Sequence, residues 1–343
     1  MHYKQINTTH ILQRKNPKGP NFGLLHRNMI CAAFNALQEL FNAKTIGFST
    51  IKTHLGRFRF FIAFLGLHYG ITDFRRIERK HVMAYANELK LSDKSDRSKQ
   101  NYLSSVNTIL GQARGDNACR VTGREANLLK QRSTRGSNKA LSTQSFIDLL
   151  KELGPREGAI SLLQRKLGLR FEEACKFDAK RGLKEAISKG LVTVRYGTKG
   201  GKVRTVDIHW ESQTHALEKA AKVQGSHYSL IPKGMTYKKY KNYYYQVARR
   251  VNYRTHSQRH HFAQATFKNY IFKHCGFGIS APVSLGLSKR AFLRKLSSRY
   301  MKKHAMCFEE ACKLAREVHD NARLYIAQQL GHERPQISDT YLY

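Results

Sequence analysis

Two short stretches in this chain alternate apolar and polar residues, Leu191-Val-Thr-Val194 and Val203-Arg-Thr-Val-Asp-Ile208, and they flank Thr198-Lys-Gly-Gly-Lys202. A period of two lines one face of a strand, and adjacent glycines let the chain reverse tightly. The segment therefore predicts a β-hairpin with Lys199 at its tip. Elsewhere the apolar residues recur at helical spacing. The fold class expected is mainly α (α+β), with one small antiparallel sheet.

Ile51, Leu55, Phe58, Ile62 and Leu65 share one helical face, with Ser49 as the expected N-cap. Val82, Tyr85, Ala86 and Leu89 repeat the pattern, and a third helix begins near Ser98 with Tyr102, Val106 and Leu110. These predict a small helical bundle between about residues 25 and 115. Ser133-Thr-Arg-Gly-Ser-Asn-Lys139 has a linker's composition, and a capped helix restarts at Ser142 with Phe146, Leu149 and Leu150. The expected organisation is a basic arm over 1–24 containing Arg14, Lys15 and Lys18, a helical domain over 25–132, a linker over 133–140 and a second domain over 141–343. A chain of 343 residues is long enough for two cores, and no internal repeat suggests a solenoid.

Lys and Arg number 61 against 24 Asp and Glu, a formal charge of +37. Such an imbalance points to a polyanionic partner. No run approaches the roughly 18 apolar residues that span a bilayer, and the first twelve residues lack a signal peptide's apolar centre. A cytoplasmic, nucleoid-associated protein with no membrane partner is expected. Cys31, Cys119, Cys175, Cys275, Cys307 and Cys312 form no C-x-x-C pair, so reduced thiols are expected, with neither zinc knuckle nor disulfide framework.

Transesterification at a phosphodiester needs a nucleophile, cations around the phosphate oxygens and an acid for the leaving oxygen. Candidates stand in four segments. Leu167-Gly-Leu-Arg-Phe-Glu-Glu-Ala174 offers Arg170, with Glu173 three residues on, an arrangement that also describes an ordinary i, i+3 ion pair. Lys199 stands at the hairpin tip. His256-Ser-Gln-Arg-His260 places an imidazole and the Arg259 guanidinium at the same spacing. Leu330-Gly-His332 suits a helix end, and Tyr341 follows His332 by nine positions (341 − 332), with Tyr343 as its rival.

The ordered set of Arg170, hairpin Lys199, His256-x-x-Arg259, Leu-Gly-His332 and the late Tyr341 resembles the tyrosine recombinase, or phage integrase, family. The resemblance is specific over 141–343 and only a matter of pattern in the N-terminal bundle. It implies the DNA breaking-rejoining enzyme fold: a helical SAM-like core-binding domain followed by a mostly helical catalytic domain, together closing on duplex DNA as a C-shaped clamp. Arg170 and Arg259 would hold the scissile phosphate, Lys199 would protonate the leaving 5′-oxygen, and His256 and His332 would assist. Tyr341 would form a 3′-phosphotyrosyl bond, with Glu173 orienting Arg170 and no metal, cofactor or ATP required. A homo-tetramer on two DNA sites and an accessory DNA-bending protein are further expectations, for integration or excision of a mobile element. A type IB topoisomerase, a telomere resolvase or a catalytically silent DNA-binding relative are the alternatives.

Three features depart from the family pattern. Gln258 stands where Leu is common, and a change of packing without loss of activity is expected there. Seventy-three residues (332 − 259) separate Arg259 from His332, which suggests a basic insertion over about 268–319. It would supply protomer or DNA contacts, or be a solvated excursion. Only Leu342 and Tyr343 follow Tyr341, so its restraint must come from preceding residues, DNA or the insertion. Outside the catalytic set, Tyr237-Lys-Lys-Tyr-Lys-Asn-Tyr-Tyr-Tyr-Gln-Val-Ala-Arg-Arg250 interleaves tyrosines with Lys238, Lys239, Lys241, Arg249 and Arg250 on one helix. It reads as a DNA-facing helix, a surface helix with inward tyrosines, or both on different faces.

Overall fold

The computed structural model describes residues 19–128 and 137–343. The basic residues Arg14, Lys15 and Lys18, and residues 133–136 of the linker, lie outside the described residues. The chain divides into two compact units, Met1–Thr134 and Arg135–Tyr343.

Among the described residues the first unit holds four α-helices: α1 (Met29–Asn42), α2 (Phe48–Tyr69), α3 (Arg79–Leu91) and α4 (Asp96–Arg114). The predicted apolar faces are its core: Ile51, Leu55, Phe58, Leu65, Val82, Ala86, Val106 and Leu110 are all buried. Each large side chain so buried contributes about 1.5–3 kcal/mol. Helix α1 is not among the three expected. Its buried side holds Met29, Ala32, Ala33, Phe34, Ala36 and Leu37. Ser49 is not the cap of α2; Gly47 holds that position without a side-chain bond, and the helix starts one residue ahead of Ser49. Phe61 rather than Ile62 fills the core on that face.

The second unit runs α5 (Thr143–Glu152), α6 (Pro155–Leu167), α7 (Phe171–Lys176), α8 (Ala179–Lys189), β1 (Leu191–Val194), β2 (Arg204–Asp207), α9 (Glu211–Gln224), α10 (Tyr237–Arg250), α11 (Ser257–Cys275), α12 (Lys289–His304), α13 (Phe308–Gln329) and α14 (Asp339–Leu342). Ser142 caps α5 by accepting from the Ser145 amide, as the sequence suggests. Strands β1 and β2 pair antiparallel with Leu191 opposite Asp207 and Val194 opposite Arg204. Val192, Val194 and Val206 turn inward. The connection turns at Gly200 and Gly201, both at φ +73°, leaving Lys199 exposed at the tip. Helix α6 packs on α11 and α9, while α13 packs on α11, α12 and β2. The catalytic candidates sit at the ends of these elements.

The segment 268–319 is not a solvated excursion. It forms the end of α11, α12 and the start of α13, with Phe292, Leu296, Tyr300, Ala311 and Ala315 in the core. All six cysteines are free thiols. Among the described residues no helix is long and apolar enough to cross a membrane, and no group of three His, Cys, Asp or Glu is arranged to hold a metal ion.

Candidate active site

Arg170 is the N-cap just ahead of α7, and Glu173 in the first turn reaches back to it. The Glu173 carboxylate, wholly buried, accepts from the Arg170 amide at 2.7 Å and from Arg170 Nη1 at 2.6 Å. It also accepts from Arg204 Nη2 at 2.8 Å, and Arg259 Nη1 lies 4.0 Å away. The pair is therefore more than a surface i, i+3 contact. Burial alone would raise the Glu173 pKa, but the Arg204 and Arg170 charges hold it below the usual carboxylate range. Three guanidiniums around one carboxylate leave an excess of two positive charges, a field suited to a phosphate.

Arg204 is absent from the residues picked out by sequence. It lies two residues before Val206 in β2, so a period of two puts both on the inward face, where an arginine is unexpected in a small sheet. There Nη1 donates to the Gln329 carbonyl, and Nη2 also reaches the Gly168 carbonyl at 3.4 Å. It thus ties the hairpin to α7 and to the end of α13. Gly331 ends α13 at φ +67°, and a Cβ there would run into Arg204 Cδ. Glycine is thus demanded twice over in Leu-Gly-His, by backbone conformation and by the approach of Arg204.

Arg259 is almost inaccessible to solvent and spends its donors within the chain. Nε donates to Tyr341 Oη at 3.1 Å, Nη1 to the Gly168 carbonyl, and Nη2 to the Leu330 carbonyl and to His332 Nε2 at 3.2 Å. Because a guanidinium only donates, His332 Nε2 must be unprotonated and its proton on Nδ1. Burial, opposed by the Tyr341 phenol, lowers the Arg259 pKa to about 10, so it remains a cation at neutral pH. The Tyr341 ring is buried and packs 4.8 Å from His260, 5.9 Å from His256 and 6.3 Å from His332 between ring centroids. His260 is thus a third imidazole at the tyrosine. It is the last residue of the His256-to-His260 motif, and only the fold reveals its contact.

His256 stands exposed at the head of α11, and Lys199 is near enough for its charge to act on His332. Burial lowers the His260 and His332 pKa values to about 4, aided by His256 at the first and by Arg259 at the second. Both imidazoles are neutral in the fold, whereas the unfolded chain protonates them near pH 6.5. The unfolded state therefore binds more protons below that pH, and stability is complete above it and falls toward pH 4. His260, barely exposed, accounts for about 2 kcal/mol at pH 5. The acid loss of the Glu173 ion pairs acts in the same direction at still lower pH. Thermal melts should show Tm several degrees lower at pH 5 than at pH 7.5, with a smaller drop in His260→Asn; equal Tm values at both pH values would contradict this.

Gln258 does more than alter packing. It is wholly buried, and its Oε1 accepts from Arg165 Nη1 at 2.7 Å. Arg165, also buried, has only neutral acceptors among the described residues: Gln258, the Leu141 carbonyl at 3.1 Å and Thr143 Oγ1 at 3.3 Å, with its guanidinium 4.5 Å over Phe146. The cation pins the start of α5 to the first turn of α11, between His256 and Arg259. Gln258→Leu is expected to cost about 2 kcal/mol by stripping a buried cation of one acceptor. Adding Arg165→Met should recover most of it in chemical denaturation, and full additivity of the two losses would rule out the link.

Tyr341 and Tyr343 face different neighbours. Tyr343 Oη is bound to buried His319 Nε2 at 2.6 Å, and His319 Nδ1 lies 3.1 Å from Asp320. Asp339 at the head of α14 receives two Arg323 bonds of 2.7 Å, Leu342 is buried, and Gln264 Nε2 donates to the Tyr341 carbonyl at 3.3 Å. The restraint on Tyr341 thus comes from α13 and α11. On α10, Tyr240 and Tyr244 point inward to Glu157 and Ser161, while Lys238, Lys239, Lys241, Arg249 and Arg250 are exposed on the other side. The inward-tyrosine reading of that helix holds, and its cations stand on the solvent side.

Residues 129–266 match the model of the family described as integrase. No curated protein matches the chain in sequence. Among solved structures, the Tn1549 transposon integrase in complex with a circular intermediate DNA is 13% identical, with 92% of this chain and 95% of that one covered at a TM-score of 0.53. The XerH recombinase bound to a palindromic difH substrate, a post-cleavage complex, is 16% identical over 91% and 81% at 0.50. A lambda integrase dimer bound to a COC′ core site is 11% identical over 91% and 76% at 0.52. The fold is that of the tyrosine recombinases, and the resemblance seen in the sequence is borne out.

Proposed function

From the premise of an integrase-family match and a tyrosine recombinase fold, we propose that this chain cleaves and rejoins DNA at specific sites through a 3′-phosphotyrosyl link to Tyr341. The observation that carries the reading is the Tyr341 phenol oxygen, hydrogen-bonded by Arg259 inside the cluster of Arg170, Arg204, Glu173 and His332. The phenol oxygen attacks phosphorus, the bond from phosphorus to the 5′-oxygen breaks, and Lys199 supplies the proton that oxygen takes. The phenol proton passes to an imidazole at the ring, His256 being the exposed one. Arg170 and Arg259 neutralise the charge growing on the non-bridging oxygens. To do so, Arg259 exchanges its bond with Tyr341 or His332 for one with the phosphate. Glu173 and Arg204 hold the first arginine in place without touching DNA. Because the link keeps the phosphodiester energy, resealing is the reverse reaction and needs no ATP.

The exposed cations of α10, Lys238, Lys239, Lys241, Arg249 and Arg250, hold duplex backbone. Four protomers pair two sites, for integration or excision of a mobile element. The similar structures named above contain DNA, and one is a post-cleavage complex, which supports DNA as the substrate. The test is a nicked suicide duplex carrying the attachment site, incubated with the full chain and EDTA. A 3′-linked covalent adduct is expected; DNA bound without any adduct would leave a silent DNA-binding relative.

A further inference from the structure

We propose that the outer face of α12 is a second duplex-binding surface, separate from the arginine cluster and from α10; it rests on the reading of DNA as the substrate. The helix carries Lys289, Arg290, Arg294, Lys295, Arg299, Lys302 and Lys303 in 16 residues, with no acid. Phe292, Leu296, Ser297 and Tyr300 take its inner face into the core, and all seven cations are exposed.

These charges are scarcely used inside the fold. Lys289 lies 3.7 Å from Asp320, and Arg299 donates to the Gly278 carbonyl. Arg290, Arg294, Lys295, Lys302 and Lys303 have no ion pair among the described residues, although Glu309, Glu310 and Glu317 are exposed on the adjoining α13. Helix electrostatics accounts for part of the pattern only. Cations in the last turn complement the negative end of the helix, but Lys289 and Arg290 stand at the positive end, where they are disfavoured. A surface that keeps them there is shaped for an outside anion.

The patch continues onto α11. Lys268 Cε and Lys303 Cε come within 4 Å of where Cβ atoms would stand at Gly278 and Gly276, and Arg299 reaches Gly278 from the same side. Sixteen helical residues extend about 24 Å, the length of roughly seven base pairs. A regularly spaced polyanion matches an exposed helical strip of this length that carries seven cations and no acid of its own. Duplex backbone fits that description, and the contacts would be independent of sequence.

The test compares the full chain with Arg290→Gln/Arg294→Gln/Lys295→Gln/Lys302→Gln, using fluorescence anisotropy on a 30-base-pair duplex without an attachment site. Salt is varied from 50 to 200 mM. Each lost phosphate contact lowers the slope of log K against log salt by about 0.9, so a reduction of about two to four and a weakening of at least tenfold are expected. The control variant Lys180→Gln/Lys184→Gln/Lys189→Gln/Lys222→Gln removes the same charge from α8 and α9 and should change the slope by less than one. An unchanged slope in the α12 variant overturns the proposal, as does an equal loss in the control. A change of oligomeric state with the slope intact would assign the face to contacts between copies and also overturn it. The anisotropy arm needs no covalent chemistry, so a chain that binds through α12 but forms no adduct would remove the proposed activity and leave this surface standing.

Discussion

Tyr341→Phe will abolish the covalent DNA adduct, a loss of at least about a thousandfold, as expected for removing a nucleophile that acts as one unit with its neighbours. Tyr343→Phe should stay within about tenfold of the parent. The asymmetry follows from placement: Arg259 donates to Tyr341 Oη, whereas Tyr343 Oη bonds to His319. Losing the second bond costs about 1 kcal/mol of local stability, felt at Tyr341 only as looser positioning. In Tyr341→Phe the remaining ring would keep the packing against His260, so the variant should fold and bind DNA. An adduct formed by Tyr341→Phe but not by Tyr343→Phe would exchange the roles of the two tyrosines and sink the proposed mechanism.

Arg204→Met carries the next largest expected effect. It leaves the fully buried Glu173 without its 2.8 Å partner and removes one bond between the hairpin and the end of α13, the two between Asp207 and Gln329 remaining. Breaking a buried ion pair from one side costs about 3–5 kcal/mol, so a marked fall in denaturation midpoint is expected, together with loss of adduct. Combining Arg204→Met with Glu173→Gln removes both charges. The double variant should regain much of the stability yet remain at least about a hundredfold slow, since Arg170 then has no carboxylate to orient it. Restored activity in the double variant would show that Arg204 and Glu173 serve folding alone.

The legible parts of this protein are those set by local spacing. The apolar faces of α2, α3 and α4, the Ser142 cap and the hairpin all follow from side-chain periodicity and backbone preference within a few residues. Helix α1 obeys the same rule, with Met29, Ala33, Ala36 and Leu37 at helical spacing, although it is not among the three helices expected. The cap of α2 differs from expectation because Ser49 is the better cap by residue type, and propensity yields to where the chain must turn. The segment 268–319 has the composition of surplus basic chain. Its Lys and Arg outnumber its acids and stand exposed, which masks the more numerous apolar residues that take the inner side.

Arg170, Lys199, His256, Arg259, His332 and Tyr341 can be picked out by residue type and order alone, because phosphoryl chemistry asks for few kinds of side chain and their motifs are short. Order along the chain carries no distance, however. That Arg204 shares Glu173 with Arg170, that His260 packs on Tyr341, and that Gln258 satisfies a buried arginine depend on residues 31 to 93 positions apart meeting in one core. Local sequence determines which elements form and which faces are apolar, since those energies act over one or two turns. Which polar groups end up buried, and with whom, is decided only by tertiary packing, where each donor and charge removed from water must find a partner from a distant part of the chain.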